Sequence, residues 1–199
     1  MAEIMKPAEN RANDDREARL RAWLAADPWR LACLEAVAAL GLPDCWIGAG
    51  FLRALAWDRL HGFARPTPLA DVDVIFFDPA PDAAREREIE TALARRLPAA
   101  AWSARNQARM HAGNGDPPYR DSEDALVHWL ETPTAVAARL TGDGAPEILA
   151  PFGLADLFDL RVRPTPHARA RPDRIAAYRR RMATKRWPAV WPGVRVDAL

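Results

Sequence analysis

Asp71 and Asp73 stand one residue apart at the head of the apolar run Val74-Ile75-Phe76-Phe77, behind a Gly48-Ala49-Gly50 turn. Carboxylates at i and i+2 of a strand leave the same face, separated by roughly 7 Å at about 3.3 Å rise per residue. Both can therefore approach one cation cluster, which is what metal-dependent phosphoryl chemistry requires. An Asp-x-Asp pair alone equally fits a polar strand entrance. Its weight here comes from the apolar strand after it and the glycines that open a helix about twenty residues before it.

The elements that must position the pair can be read from local signals. Cys45-Trp46-Ile47 is a short buried strand, Gly48 to Gly50 the turn, and Phe51 to His61 a helix closed by Gly62. Upstream, Asp27-Pro28 reads as an N-cap followed by proline in the first turn, with Leu31, Leu34, Val37 and Ala38 at helical spacing and Gly41 and Pro43 as the stop. A helix through Leu20, Trp23 and Leu24 precedes it, and residues 1–14 read as a flexible polar arm. Asp78-Pro79 ends the Asp71–Phe77 strand before a helix through Ile89, Leu93 and Leu97. Residues 101–110 read as extended, 111–122 as a surface loop, and about 122–131 as a helix. Residues 135–140 and 147–150 flank Thr141-Gly142-Asp143-Gly144, the pattern of an antiparallel hairpin.

The character changes after Pro151. Phe152 to Leu160 reads as a short amphipathic helix, and residues 161–195 then carry eleven Arg or Lys against one acid, Asp173. A helix over about Pro172–Lys185 turns Ile175, Tyr178 and Met182 inward and Arg179, Arg180 and Arg186 outward. Such a basic segment suits a nucleotide, a polyanionic acceptor or nucleic acid, and equally an ordinary solvated face.

At 199 residues with 49% hydrophobic and 28% charged residues, the chain suits one globular domain, and its net charge of +1 gives no whole-molecule pull toward polyanions. The first twenty residues lack an apolar signal core and no stretch reaches the ~20 apolar residues of a membrane span, so a cytoplasmic protein without a membrane partner is expected. Cys33 and Cys45 have neither metal nor redox spacing and read as reduced core thiols. The four histidines are too scattered to argue zinc or a Ser-His-Asp site.

Taken in order, GAGFLRALAWDRLHG at 48–62, DVDVIFFD at 71–78, NQARMH at 106–111, WLET at 129–132, APFGLADLF at 150–158, RPTP at 163–166 and YRRRMATKRWP at 178–188 resemble the small bacterial nucleotidyltransferase-like proteins of the DNA polymerase β-type nucleotidyltransferase superfamily. The resemblance implies an α+β fold: a nucleotidyltransferase core over 15–150, with a mixed β-sheet flanked by helices, and a helical, basic C-terminal extension over 151–199 packed on it. It also implies transfer of a nucleoside monophosphate from an NTP to an acceptor hydroxyl with release of pyrophosphate. Asp71 and Asp73 would hold magnesium or manganese, and Gly48, Gly50 and Arg53 would meet the nucleotide phosphates. Glycine lets backbone approach phosphate closely, and a helix start offers free amides. The superfamily commonly has Gly followed directly by Gly or Ser where this chain has Gly-Ala-Gly.

The superfamily also implies a third carboxylate that accepts the hydroxyl proton. Glu147, opening the second hairpin arm, is favoured, with Glu131 as the other candidate. Asn106, Gln107, Arg109, Glu131 and Lys185 are possible substrate contacts, the first three because amides and guanidinium give directional hydrogen bonds. The acceptor, whether small molecule, RNA or protein, stays open. Two other classes remain beside transfer: a non-catalytic, antitoxin-like nucleotide- or nucleic-acid-binding protein, and a metal-dependent glycosyltransferase.

Overall fold

The computed structural model describes residues 7–80 and 82–198. Helices α1 (Pro7–Ala25) and α2 (Pro28–Ala38) come first, then strand β1 (Trp46–Gly48), helix α3 (Gly50–Leu60), strand β2 (Val72–Phe76), helix α4 (Ala83–Arg96) and strand β3 (Trp102–Asn106). Short helices α5 (Gln107–Asn114) and α6 (Ser122–Val127) lead through a 3₁₀ turn, Thr132–Thr134, to the hairpin β4 (Ala137–Leu140) and β5 (Pro146–Leu149). The C-terminal part holds α7 (Ala155–Phe158), β6 (Arg161–Val162), α8 (Pro166–Arg169), α9 (Pro172–Lys185), α10 (Trp187–Val190) and β7 (Arg195–Val196). Both Asp-Pro and Thr-Pro starts work as capping chemistry predicts. Asp27 accepts the Arg30 amide at 3.0 Å and Thr165 accepts the Ala168 amide at 3.1 Å, each ahead of a proline that has no amide to satisfy.

The main sheet is mixed, in the order β3-β2-β1-β4-β5, with only β2 and β3 parallel. Helix α4 makes the crossover that a parallel pair needs. Alternation then divides the sheet's two faces. Ile47, Val72, Val74, Phe76, Ala104 and Ala138 turn to one core with Leu20, Leu34, Phe51, Trp57 and Leu93 from α1 to α4. Trp46, Ile75 and Ala137 turn the other way and pack with Leu126. The second face is only partly covered, and Asp73 and Arg105 lie on it.

The C-terminal residues strap themselves across α3. Trp187 and Trp191 meet Trp57 edge-on at ring distances of 5.5 and 5.1 Å. The Trp191 indole donates to Asp58 at 2.8 Å, the Gly193 amide to His61 at 3.0 Å, and Tyr178 to the Val162 carbonyl at 3.1 Å. Asp58 also takes the Thr67 amide and hydroxyl, so it joins the loop before β2 to the C-terminal strap instead of bonding within its helix. Cys33 and Cys45 are free thiols, each pushed up to about 12 by burial.

Three local expectations are corrected. Residues 7–14, read as part of a flexible arm, are the start of α1; residues 1–6 lie outside the described residues. Apolar spacing misses this turn because polar contacts hold it: Asn13 accepts the Leu154 amide at 2.9 Å, and Arg16 reaches Asp159 at 3.6 Å. The extended segment stops at Asn106, whose side chain accepts the Ala108 amide and starts α5. The predicted surface loop is helical as far as Asn114, where Gly115 at φ 65° supplies a left-handed stop.

Candidate active site

A cleft of about 330 Å³ opens on the partly covered face of the sheet. Asp73, Val74, Ile75 and Arg105 form its floor with Ala49, while Gln107, Met110 and Asn114 of α5 make one wall. Trp129, Leu130, Glu131 and Thr134 make another, and Arg174 and Arg181 reach in from α9. Four buried side-chain atoms among the described residues lack a hydrogen-bond partner: Arg53 Nε, His111 Nδ1, Glu131 Oε2 and Arg174 Nε. Two of them belong to residues that line this cleft. Buried polar atoms are ordinarily satisfied, so a cleft wall with a bare carboxylate oxygen and a bare guanidinium nitrogen is suited to a polar ligand.

Asp71, exposed, sits immediately ahead of β2, and Asp73 is half-buried within it. Burial pushes the Asp73 carboxyl up to about 6; the neighbouring Asp71 charge adds to this, and Arg181, Lys185 and Arg105 oppose it. A buried carboxylate with a second negative charge beside it offers hard oxygens of the kind that suit a divalent cation. No group of three or more His, Cys, Asp or Glu among the described residues is placed to hold a metal, so any cation here would take its remaining ligands from substrate and water.

Above the pair, the chain turns from β1 into α3. Gly48 is needed for close approach: a Cβ there would lie 3.2 Å from the Trp129 ring and 3.4 Å from the Val136 carbonyl. Gly50 opens α3, and a Cβ there would meet only ordinary contacts, 3.5 Å from an Arg53 nitrogen. The strained residue is the alanine between them, with φ 55° and ψ −122°. Ala49 donates to the Val136 carbonyl at 3.1 Å, caps α3 with no side-chain hydrogen bond, and lines the cleft. Such a conformation costs of order 1–3 kcal/mol for a residue with a Cβ. Ala49→Gly should therefore raise stability by about 1 kcal/mol, after the extra chain entropy of glycine is subtracted. Denaturant midpoints at constant m measure this, and an unchanged or lowered midpoint would contradict the strain.

The sequence-derived candidates separate clearly. Asp73, Gln107 and Glu131 line the cleft together. Lys185 lies close enough for its charge to act on Asp73. Arg53 is only 9% exposed, and its guanidinium sits 5.3, 4.6 and 5.6 Å from the Trp57, Trp187 and Trp191 rings. Burial holds Arg53 down to about 10, and it feels the charges of Glu131, Arg181 and Asp73. It stands behind the cleft wall, enclosed by tryptophans.

Asn106 is engaged by backbone: it accepts from the Asp78 and Ala108 amides at 3.1 Å and donates to the Asp78 carbonyl at 2.8 Å. Arg109 turns to α4 and pairs with Glu86 at 2.5 Å. Glu147, the favoured third carboxylate, pairs with Arg139 at 2.6 Å on the far hairpin, holding that guanidinium 4.0 Å over Trp46. With β5 three strands from β2, it lies roughly 14 Å across the sheet from the Asp73 strand. The structure thus brings Glu131 to the cleft with Asp73 and leaves Glu147 outside it.

Arg105, Arg174 and Arg181 are cleft residues that sequence reading did not select. A helical signal for two of them was present, since Arg174, Tyr178, Arg181 and Lys185 recur at i, i+4, i+7 and i+11 on one face of α9. Arg105 had no comparable signal. Its phase follows from the parallel register Asp73↔Ser103 and Ile75↔Arg105.

A family model described as nucleotidyltransferase matches residues 35–196. A structure reported as an NMR structure revealing a CCA-adding enzyme head domain superposes with TM-score 0.82 at 31% identity, covering 90% of this chain and 95% of that one. A CCA-adding enzyme in apo form I gives TM-score 0.52 at 15% identity, and the Thermotoga maritima CCA-adding enzyme complexed with tRNA gives 0.50 at 17%. This chain covers 42% and 40% of those two, so it spans about two fifths of their length, and they bear on fold alone. No curated protein matches the chain. No helix among the described residues is long and apolar enough to cross a membrane. With most of its length matched by the family model and a head-domain structure superposed over nine tenths of it, the chain belongs to the nucleotidyltransferase family.

Proposed function

We propose that this nucleotidyltransferase moves a nucleoside monophosphate from an NTP to an acceptor hydroxyl at the Asp71–Asp73 cleft. The observation that carries the reading is the coupling of these two carboxylates at the edge of a cleft whose floor runs up to the start of α3. Asp71 and Asp73 would hold magnesium or manganese, which supplies charge neutralisation for the phosphates and alignment of the reacting oxygens. The first-turn amides of α3 have no partners within the helix and favour phosphate oxygens.

In the transfer, the acceptor oxygen forms a bond to the α-phosphorus as the bond from that phosphorus to the bridging oxygen breaks. The bond's electron pair leaves with pyrophosphate, and the hydroxyl proton passes to a carboxylate. Glu131 is the group best supported for that proton, because its Oε2 is buried and unpartnered while Oε1 is held by Arg181. Glu131→Gln should lower kcat by about 10²–10⁴-fold, with KM rising only as far as the neutral amide holds Arg181 less firmly. Glu147→Gln should leave both within twofold. A raised KM in Glu131→Gln at unchanged kcat would reassign the residue to holding Arg181.

The acceptor is taken to be a hydroxyl on a small molecule, RNA or protein, and the tRNA in one related complex makes RNA the first to test. The test is incubation with magnesium, each NTP and pools of the three acceptor classes, following pyrophosphate and acceptor mass. Asp71→Asn should abolish both signals. Equal signals from Asp71→Asn and the parent would sink the assignment, and nucleotide binding with no turnover would favour the binding-protein reading.

A further inference from the structure

The charged groups of the cleft sort into two sets. Arg105, Arg181 and Lys185 each act electrostatically on Asp73, and Arg53 joins them through Glu131, Arg181 and Asp73. Arg174 belongs to a separate network: it donates to Asn114 at 3.2 Å and to the His128 carbonyl at 2.6 Å. Asp116, part of the same network, accepts from Tyr119 at 2.6 Å, pairs with His167 at 2.9 Å and is bound by Arg171 at 2.5 Å. Both sets reach the cleft through α9, and the charges that bear most on Asp73 come from the first.

Within that set Arg181 is unusually well oriented. Its Nε donates to Glu131 at 2.6 Å, and Glu131 is 1% exposed, so one edge of the guanidinium is fixed by a buried carboxylate. The side chain itself is 34% exposed, and its remaining nitrogens are available to the cleft. A guanidinium held at Nε still offers its terminal donors to phosphate oxygens, with little rotamer freedom left to lose. Lys185 lies one helical turn further along α9, exposed, with no hydrogen bond or ion pair to another described residue. Arg53, the expected phosphate ligand, is more enclosed: it packs against three tryptophan rings, with its terminal nitrogens beside Gly50 at the start of α3.

We propose that Arg181 and Lys185 of α9 are the pyrophosphate anchor: they bind the β- and γ-phosphates of the NTP and carry the negative charge of the departing pyrophosphate. Glu131 is then also the positioning residue for Arg181. This assignment rests on the transfer reading above and adds the location of the leaving group. It separates the helix into a substrate-facing edge at 181 and 185 and an outer face at 179, 180 and 186.

The probe is inorganic pyrophosphate, titrated calorimetrically with magnesium into the full chain and into Arg181→Lys, Lys185→Ala and Arg180→Ala. Arg181→Lys keeps a positive charge beside Glu131, and Lys185→Ala removes an exposed side chain, so both should melt within a few degrees of the parent. Expected are about 10-fold weaker binding in Arg181→Lys, about 5-fold in Lys185→Ala, no change in Arg180→Ala, and matching rises in KM for NTP. Failure of the parent to bind pyrophosphate, equal losses in Arg180→Ala and Lys185→Ala, or an unmoved Arg181→Lys would each overturn the anchor. Arg181-dependent pyrophosphate binding without turnover of any NTP would keep the anchor and remove the transfer reading. Turnover with KM and pyrophosphate affinity unmoved in the variants would remove the anchor alone.

Discussion

Asp73→Asn should lose at least about 10³-fold in transfer rate and yet melt at a higher temperature than the parent at neutral pH. Burial first, and Asp71 second, push the folded carboxyl up to about 6 from an ordinary value of 3.8. Between these values the folded state retains a proton that the unfolded chain has released, so stability falls as pH rises through that window. Below it both states are protonated and the penalty vanishes; above about 6 it is fully developed. Two units correspond to about 3 kcal/mol, and partial exposure of the site reduces this to about 2. For a chain of this size the gain in Asp73→Asn is roughly 4–8 °C at pH 7.5, shrinking toward zero near pH 4. Magnesium should raise the parent's melting point at pH 7.5 and leave Asp73→Asn unmoved. A variant less stable than the parent at pH 7.5, or one with the same magnesium response, would show that the pair is not a strained cation seat.

Trp191→Ala should be among the most destabilising single substitutions in the chain. The side chain is 3% exposed, packs edge-on to Trp57 at 5.1 Å, and donates to Asp58 at 2.8 Å. Truncating a buried tryptophan costs about 3–5 kcal/mol, which here translates to a fall of roughly 6–20 °C. Trp191→Phe keeps the ring contact and loses only the indole donor, so about 1–2 kcal/mol is expected. Arg53 gives the functional counterpart. Once one wall of its enclosure is removed, it becomes hydrated and mobile, and KM for NTP should rise in Trp191→Ala at temperatures well below its melting point. Thermal melts of the pair of variants check the first statement, and a fall under about 3 °C for Trp191→Ala would mean that the strap contributes little to the core.

Much of the local architecture was readable because local chemistry decided it. Asp27-Pro28 and Pro172 fixed helix starts, an apolar run ended by Asp78-Pro79 fixed β2, and a Gly-Asp-Gly turn fixed the β4–β5 hairpin. The site was half readable for a different reason. Asp71 and Asp73 are close because they are two residues apart, whereas the third carboxylate is a matter of sheet order. Glu147 suits a strand start as well as any acid could, but β5 is the outermost strand, beyond β4 and β1 from β2. Glu131 lies in an irregular segment bridged to Pro164, which no periodicity announces. Arg53 shows the same limit. It is one turn into the helix after the glycines, and the rings that enclose it come from residues more than 130 positions later.

The strap across α3 has a consequence for how the protein is made. β6 pairs in parallel with β7, and Trp187 and Trp191 close over Arg53 and Trp57. A ribosome must therefore synthesise through residue 196 and clear that length from its exit tunnel before the wall behind the cleft can form. Until then the nascent chain has made both carboxylates, the glycine turn and the whole sheet, with Trp57 still uncovered. Closure of that wall thus waits for residues 187–196, although Asp71 and Asp73 are synthesised more than a hundred residues earlier.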